Sequence, residues 1–414
     1  MTRRYRRPNS RPRVLLMVEN VALGRDHRLR KQVRALLAEG YSVSVICRAD
    51  PANNRVEGID LYDYAAPVDA RSRHGFLREY SYSWLMAAAL TLKVFWLTGF
   101  DAIQVSGTPD IYFAIGAPFG LLGRALVLDQ RDLSPELYER RYHRRDRMYR
   151  LLRRLERASY RSADHVITVN RSLRQIVCRR GNLDVESVSI VGNGPCLDRA
   201  DDFVAVPELR RGRRLLACWV GLMGPQDEVD LALRAIHQLA TARRRSDCHF
   251  AFIGDGEARA ASIALARELG IEDLVSFPGW LDESEVFRYL ASADLGLEPN
   301  LEPTVSPVKG MEYMAFSLPF VAFDLPETRA VADAAAIYVR PGDTVAFAGA
   351  IEELLDDPAQ RRERGRVGRE RIERQLAWEH QERTYLDVYR TLLRPAAEAP
   401  AGVGTPSPLP GVVR

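Results

Sequence analysis

The chain has 414 residues, 46% hydrophobic and 28% charged, which is too long for one ordinary core and too apolar for disorder throughout. Its 59 basic and 55 acidic residues leave a formal charge of +4, and every basic residue except Lys31, Lys93 and Lys309 is arginine. Such a balance argues against nucleic-acid binding, since arginine runs in a nearly neutral chain are more often solvated faces.

Five scattered cysteines, Cys47, Cys178, Cys196, Cys218 and Cys248, lack CxxC spacing, so neither a disulfide framework nor a zinc site is expected and a reducing, cytoplasmic setting fits best. An arginine-rich arm, residues 1–12, is expected to be disordered, and the VLLMV run behind it is too short for a signal-peptide core. VLLMVE then reads as a buried strand, HRLRKQVRALLAEG as an amphipathic helix closed by Gly40, and YSVSVICR as the next strand. The longest apolar run, Trp84 to Phe100, is interrupted by Lys93 and falls short of the roughly 20 residues that span a bilayer, so a buried or interfacial helix is expected. A strand over 102–106, a helix over 111–122, the strand ALVLD, one long arginine-rich helix ending near Tyr160, and the strands HVITVN and SVSIV follow, up to the turn at Gly192 to Pro195.

The alternation then restarts. RLLACWVG, HFAFIG, LVSFPGW, ADLGLEP, PFVAFD and AIYV read as strands separated by helices, so the second half is a parallel sheet too. The pattern predicts an α/β protein of two Rossmann-like, doubly wound domains, 13–197 and 198–378, with a last helix over 379–394 and a disordered tail over 395–414. The ligand belongs in the cleft between the strand carboxyl ends.

The most informative stretch runs from Ser306 to Arg329. Ser306 is a good N-cap and Pro307 suits the first helical position, so a helix is expected there with its unpaired amides facing outward as an anion site. Lys309 adds positive charge to that terminus, and Glu312, three residues on, can accept hydrogen bonds from a diol. Gly310 costs the helix about 1 kcal/mol relative to alanine, which is understandable if a ligand approaches the backbone. An ordinary capped surface helix with an ion pair fits the same spacing.

In these residues the chain resembles the family 4 retaining glycosyltransferases of the GT-B fold, in particular a bacterial subgroup with S-x-x-K-x-x-E-Y-M-A followed by P-x-V-x-F-D-L-x-E-x-R. DHRLRKQVRALLAEGYSVSVIC, LDQRDLSPELY, GLMGPQDEVDLALRA, IGDGE and VSFPGW carry the resemblance along the chain. It implies that Glu312 binds the donor ribose and that Ser306, Pro307, Val308 and Lys309 meet the diphosphate. Gly224 and Gln226 belong to the G-P-Q-D loop, while Gly254, Asp255 and Gly256 with Pro278 and Gly279 would hold the base. Asp26, Arg28 and Glu136 would line the acceptor side of the cleft, a surface ion pair being the plainer role for the first two. The last helix would cross back to the first domain, and helix amides and cationic side chains, rather than metal, would stabilise the leaving diphosphate. No D-x-D occurs in the sequence, in keeping with this.

Several positions depart from the family pattern. Leu222 and Asp227 stand where an Arg and a Lys commonly clamp the diphosphate, Glu228 replaces a glycine, and Thr304 replaces the first Glu of E-x7-E. Gln130, Arg131 and Asp132 replace His-His-Asp; Arg131 stays protonated at neutral pH and can stabilise phosphate charge, while Asp132 can take a proton from the acceptor or serve a helix start. The expectation is a metal-independent, cofactor-free, retaining transfer from a nucleotide-diphosphate sugar to a glycan, lipid-linked or small-molecule acceptor. It would act in the cytoplasm, with peripheral contact to an anionic membrane as an added expectation. A catalytically impaired scaffold and a nucleotide-sugar epimerase are the rival readings.

Overall fold

The computed structural model describes residues 11–393 apart from Asn20, residues 66–72, Pro109 and residues 198–201. Most of the basic arm and the whole proline-rich tail lie outside the described residues. Within them the chain forms two parallel sheets, of seven and six strands.

The first sheet comprises β1 (Arg13–Val18), β2 (Ser42–Arg48), β3 (Ile59–Tyr64), β4 (Ala102–Ser106), β5 (Ala125–Gln130), β6 (His165–Thr168) and β7 (Val188–Ile190), ordered 3-2-1-4-5-6-7. Its apolar strands are sandwiched on both faces, which is why they read as continuous hydrophobic runs. Alternate residues of β1 go to opposite layers. Val14, Leu16 and Val18 face α1 (His27–Ala38), whereas Leu15 and Met17 face α2 (Arg73–Leu97), α3 (Phe113–Gly120), α5 (Arg147–Ser162) and α6 (Arg171–Gly181). In α1, Leu29, Gln32, Val33 and Leu36 are buried at helical spacing, and the Asp26 carboxylate caps the helix by accepting from the Leu29 amide at 2.9 Å.

Two elements differ from the sequence reading. β3 was not anticipated, because IDLYDY alternates polar with half-buried residues at a sheet edge and lacks the apolar run of its neighbours. The long arginine-rich helix is two helices, α4 (Ser134–Tyr142) and α5, since His143 turns left-handed at φ 50° and Asp146 starts a new helix by capping Met148 and Tyr149.

The second sheet comprises β8 (Leu215–Val220), β9 (Cys248–Ile253), β10 (Val275–Gly279), β11 (Leu295–Glu298), β12 (Phe320–Phe323) and β13 (Ala336–Val339), ordered 10-9-8-11-12-13. Its helices are α7 (Val229–Thr241), α8 (Arg259–Glu268), α9 (Glu283–Ser292), α10 (Val308–Ala315), α11 (Pro326–Ala332), α12 (Thr344–Asp356) and α13 (Pro358–Arg371). The last helix, α14 (Trp378–Leu393), returns to the first domain, where Trp378, Tyr385 and Tyr389 pack with α1 on the face of the first sheet that carries Val14, Leu16 and Val18. In each sheet the strand order reverses once, between β1 and β4 and between β8 and β11. Such switch points open crevices at the strand carboxyl ends, and residues beyond the carboxyl ends of β5 and β11 line one pocket together.

Candidate active site

On the first domain the cleft is built around Asp129, the penultimate residue of β5, whose carboxylate is buried. It accepts Arg28 Nη2 at 2.8 Å and Nε at 3.1 Å, Arg131 Nε at 3.0 Å and Gln32 Nε2 at 3.1 Å. Burial alone raises such a carboxyl, but the two guanidinium groups overcome it and hold Asp129 well below the ordinary carboxylate range. Arg131 also donates Nη1 to Asp26 Oδ2 at 2.5 Å, while its Nη2 has no hydrogen-bond partner among the described residues. Arg28 lies deeper, with Nη1 on the Val191 carbonyl at 2.7 Å and Asn193 Oδ1 at 2.8 Å. Asp26, Arg28 and Arg131 thus form one network, in which Arg28 holds the β7 loop in place rather than presenting charge to the cleft.

Asp132 keeps an open surface at the cleft, and the crowding around it raises its carboxyl against the pull of Arg131 and Arg140. It does not cap α4, whose cap position is Leu133. That helix is tied down instead by Ser134 Oγ, which donates to Asp110 Oδ2 at 2.5 Å. Glu136, in the first turn of α4, is paired with Arg180 at 2.5 Å.

On the second domain, α10 starts one residue later than its sequence predicts. Pro307 occupies the cap position without a side-chain hydrogen bond, Ser306 is buried before it, and Val308 opens the helix. Proline's fixed φ serves the entry, and the Ser306 hydroxyl is too far back to cap. Gly310 answers to packing, because a side chain there would meet the Phe320 ring at 2.7 Å. The open face of α10 carries Val308, Lys309 and, one turn on, the half-buried Glu312.

Lys309 is not a spare cation. Its ammonium lies 2.8 Å from Asp227 and 3.9 Å from Glu298, and sits over the Trp219 ring at 5.2 Å. Its stem passes Gly221, where any side chain would collide with it. Burial raises the Glu298 carboxyl against the pull of Lys309, and Glu298 Oε2 has no partner among the described residues. Asp227, at the position matching the family's lysine, therefore reverses the charge of the loop and occupies the one lysine nearby.

Gly254 and Gly256 have φ of 136° and 153°, and a side chain on them would strike the Gly221 and Met223 carbonyls. They let the loop after β9 lie on the loop after β8, and the Gly254 amide donates to the Gly279 carbonyl at 2.9 Å. Asp255 Oδ1 accepts the Gly256 amide, Arg259 donates to the Phe277 carbonyl next to Pro278, and the exposed Gln226 side chain folds over Gly224. Glu228 is left-handed at φ 52°, the conformation for which glycine is usual, and burial and Asp230 raise its carboxyl.

The two domains meet where Arg131, Asp132, Glu136 and Arg140 face Glu302, Thr304 and Val305 across a pocket. Arg140 pairs with Glu302, Asn170 Nδ2 donates to the Thr304 carbonyl at 2.7 Å, and the Ser172 amide donates to Glu327 at 2.9 Å. Glu302 also accepts the Thr304 hydroxyl at 2.7 Å, so a carboxylate hangs beside Thr304 although none is at that position. Sequence reasoning missed Asp129, Glu298 and Glu302; the first two had a signal, each being a carboxylate closing an apolar strand. A further buried group, Glu19 with Arg48 and Glu79, closes β1 and β2 on the first domain, at 2.6 Å and 3.0 Å.

Two family models match the chain, "Glycosyl transferase 4-like domain" over residues 24–194 and "Glycosyl transferases group 1" over residues 214–357. Among curated proteins, the alpha-D-kanosaminyltransferase of Streptomyces kanamyceticus is 28% identical over 215 residues, covering 50% of this chain and 55% of that protein. The MMP alpha-(1->4)-mannosyltransferase of Mycolicibacterium hassiacum is 30% identical over 166 residues, 39% of this chain and 40% of that protein. The matches thus span about half the length of these relatives. Among solved structures, sucrose-phosphate synthase from Thermosynechococcus elongatus superposes with a TM-score of 0.75 at 19% identity, over 92% of this chain and 99% of that one. Anabaena HepE in complex with UDP gives 0.69 at 15% identity, over 92% and 100%. With one family domain on each sheet and the fold shared over nearly its whole described length, the chain has the GT-B fold and belongs to the glycosyltransferase family of the 4-like and group 1 type.

Proposed function

We propose that the chain transfers a sugar from a nucleotide-diphosphate donor to a glycan, lipid-linked or small-molecule hydroxyl, with retention of configuration and without a metal. The donor lies on the second domain, its ribose on Glu312 and its diphosphate at the start of α10. The bond between the anomeric carbon and the leaving phosphate oxygen breaks, the electron pair staying on the diphosphate. Arg131 stabilises that charge, and the acceptor oxygen forms the new bond on the face being vacated. Asp132 is assigned the acceptor proton, its raised carboxyl suiting that task.

One observation carries this reading. Arg131 is held by Asp26 and Asp129, has a guanidinium nitrogen without a hydrogen-bond partner among the described residues, and lines a pocket closed by the loop that leads into α10. A preorganised cation of this kind stabilises charge that develops during transfer without reorganising first. A relative solved with UDP supports a nucleotide donor, and the lack of a D-x-D supports metal independence.

The test is thermal unfolding against a panel of nucleotide diphosphates and their sugars, with and without magnesium. A site filled at 100 times its dissociation constant adds about 2.7 kcal/mol. One nucleotide class is expected to stabilise the protein equally in both conditions, and Glu312→Ala to remove the shift. A shift that requires magnesium overturns the metal independence, and no shift with any donor overturns the donor site.

A further inference from the structure

We infer that Arg140, a residue of the first domain, reaches across the cleft to bind the diphosphate of the donor and supplies the charge that the loops of the second domain lack. The inference deepens the donor reading above and rests on it, for it names the side chain that meets the phosphates.

The need is written in the donor loops. Residues 221–228, 254–258 and 299–307, which follow β8, β9 and β11, contain no lysine or arginine, and they carry Asp227, Glu228, Asp255, Glu257 and Glu302. Glu298 closes β11 beside them, and the ammonium of Lys309 is taken up by Asp227 and Glu298. A nucleoside diphosphate brings further negative charge to the start of α10. The amides of that helix offer only partial positive charge in return. Without a full cation from elsewhere, this surface repels its ligand.

α4 brings that cation. Its first turn is fixed to the first domain by Ser134 on Asp110 and by Glu136 on Arg180. Leu133, Glu136, Leu137 and Arg140 follow at helical spacing and line the pocket between the domains, so the last turn of α4 holds Arg140 towards the second domain. There Arg140 pairs with Glu302, in the loop that leads into α10. It also lies close enough to Glu228, beside the G-P-Q-D loop, and to Asp132 to oppose the rise of both carboxyls. Carboxylates from the loops after β5, β8 and β11 thus gather around one guanidinium.

Arg131 lines the same pocket but is shared between Asp26 and Asp129. Arg140 makes one ion pair among the described residues, with a carboxylate that also accepts the Thr304 hydroxyl. The planar fork of a guanidinium matches phosphate oxygens as well as it matches a carboxylate. Glu302 therefore competes with the diphosphate for the same donors. The pair keeps the fork in position, and it opens when the ligand arrives. A simple strut between the domains would use the same two residues, but it would respond differently to their removal.

The experiment is titration calorimetry of the full chain with UDP, GDP and dTDP, each beside its own nucleoside. It compares the wild type with Arg140→Gln, Arg140→Lys, Glu302→Gln and the double variant Arg140→Gln with Glu302→Gln. Arg140→Gln should weaken binding of the diphosphate by about tenfold or more, as a charge-assisted hydrogen bond is lost, and leave the nucleoside unchanged. Arg140→Lys should recover part of the loss, since it keeps the charge without the fork. Glu302→Gln breaks the same ion pair yet should tighten the diphosphate, and most of this gain should vanish in the double variant. Loss of diphosphate affinity in both single variants overturns the inference, for the pair is then a strut. So does an Arg140→Gln protein that binds the diphosphate as the wild type does, or one that loses diphosphate and nucleoside alike. A wild-type protein that binds none of the three diphosphates overturns the donor reading itself, so the two failures are told apart.

Discussion

Asp227 places a carboxylate beside the start of α10, where the diphosphate is proposed to bind, and with Glu298 it surrounds the ammonium of Lys309. Like charges at 4 Å cost about 4 kcal/mol at an effective dielectric near 20, a value that solvent reduces at the open end of the site. Asp227→Asn should therefore bind nucleoside diphosphate at least tenfold more tightly in titration calorimetry, by relieving repulsion and freeing Lys309. An unchanged dissociation constant would place the diphosphate away from α10. His249 tests the second core in the same spirit. It is buried on β9, with Nε2 2.8 Å from Ser276 Oγ, and burial, aided by Arg211 and Arg213, lowers it to about 4. The unfolded chain takes up this proton near pH 6.5 and the folded one only near 4, so the contribution is present above 6.5 and disappears as pH falls through that window. The full span is about 3 kcal/mol, and His249→Gln should flatten denaturant stability between pH 6.5 and 4 relative to the wild type.

The helices that frame the cleft show how local sequence and packing divide the work. Ser306 and Pro307 announce the start of α10 to within a residue, but the reason for Gly310 lies across the sheet layer, in Phe320. Gly310→Ala should lower stability by about 1–3 kcal/mol, because overpacking against an aromatic ring outweighs the gain in helix propensity. Nucleotide affinity of the folded variant should stay as it was; a parallel loss in calorimetry would restore a ligand-contact role for this glycine. In the α4–α5 region the helical periodicity runs on through residues 140–150, and only the left-handed His143 and the Asp146 cap divide it. Such a break leaves little trace in a hydrophobic pattern, for both halves are rich in arginine.

At the scale of the molecule, α14 makes the last residues of the chain part of the first domain. Tyr385 and Tyr389 donate to Gln104 Oε1 at 3.1 Å and 2.6 Å, and Gln104 in turn donates to Gln32, which donates to Asp129 beneath the cleft. Tyr389→Ala should cost about 3–5 kcal/mol and lower the thermal midpoint, as a fully buried ring is lost. A surface-like cost below 1 kcal/mol would mean that α14 is dispensable for this domain. The two parallel sheets, twelve of the thirteen strands (all but the edge strand β3) and the span of α14 were legible in the sequence, because apolar runs separated by amphipathic helices have few ways to bury themselves. So was the start of α10, to within a residue, where Ser306 and Pro307 mark the turn. What the sequence could not determine is the pairing of charges. Lys309 with Asp227, Arg131 with Asp26 and Asp129, and Arg140 with Glu302 join residues 82, 105 and 162 positions apart or neighbours brought together by a strand end. A charge's partner is set by distances of a few ångströms between chain ends of different strands and domains, and those distances exist only once both sheets have closed around their cores.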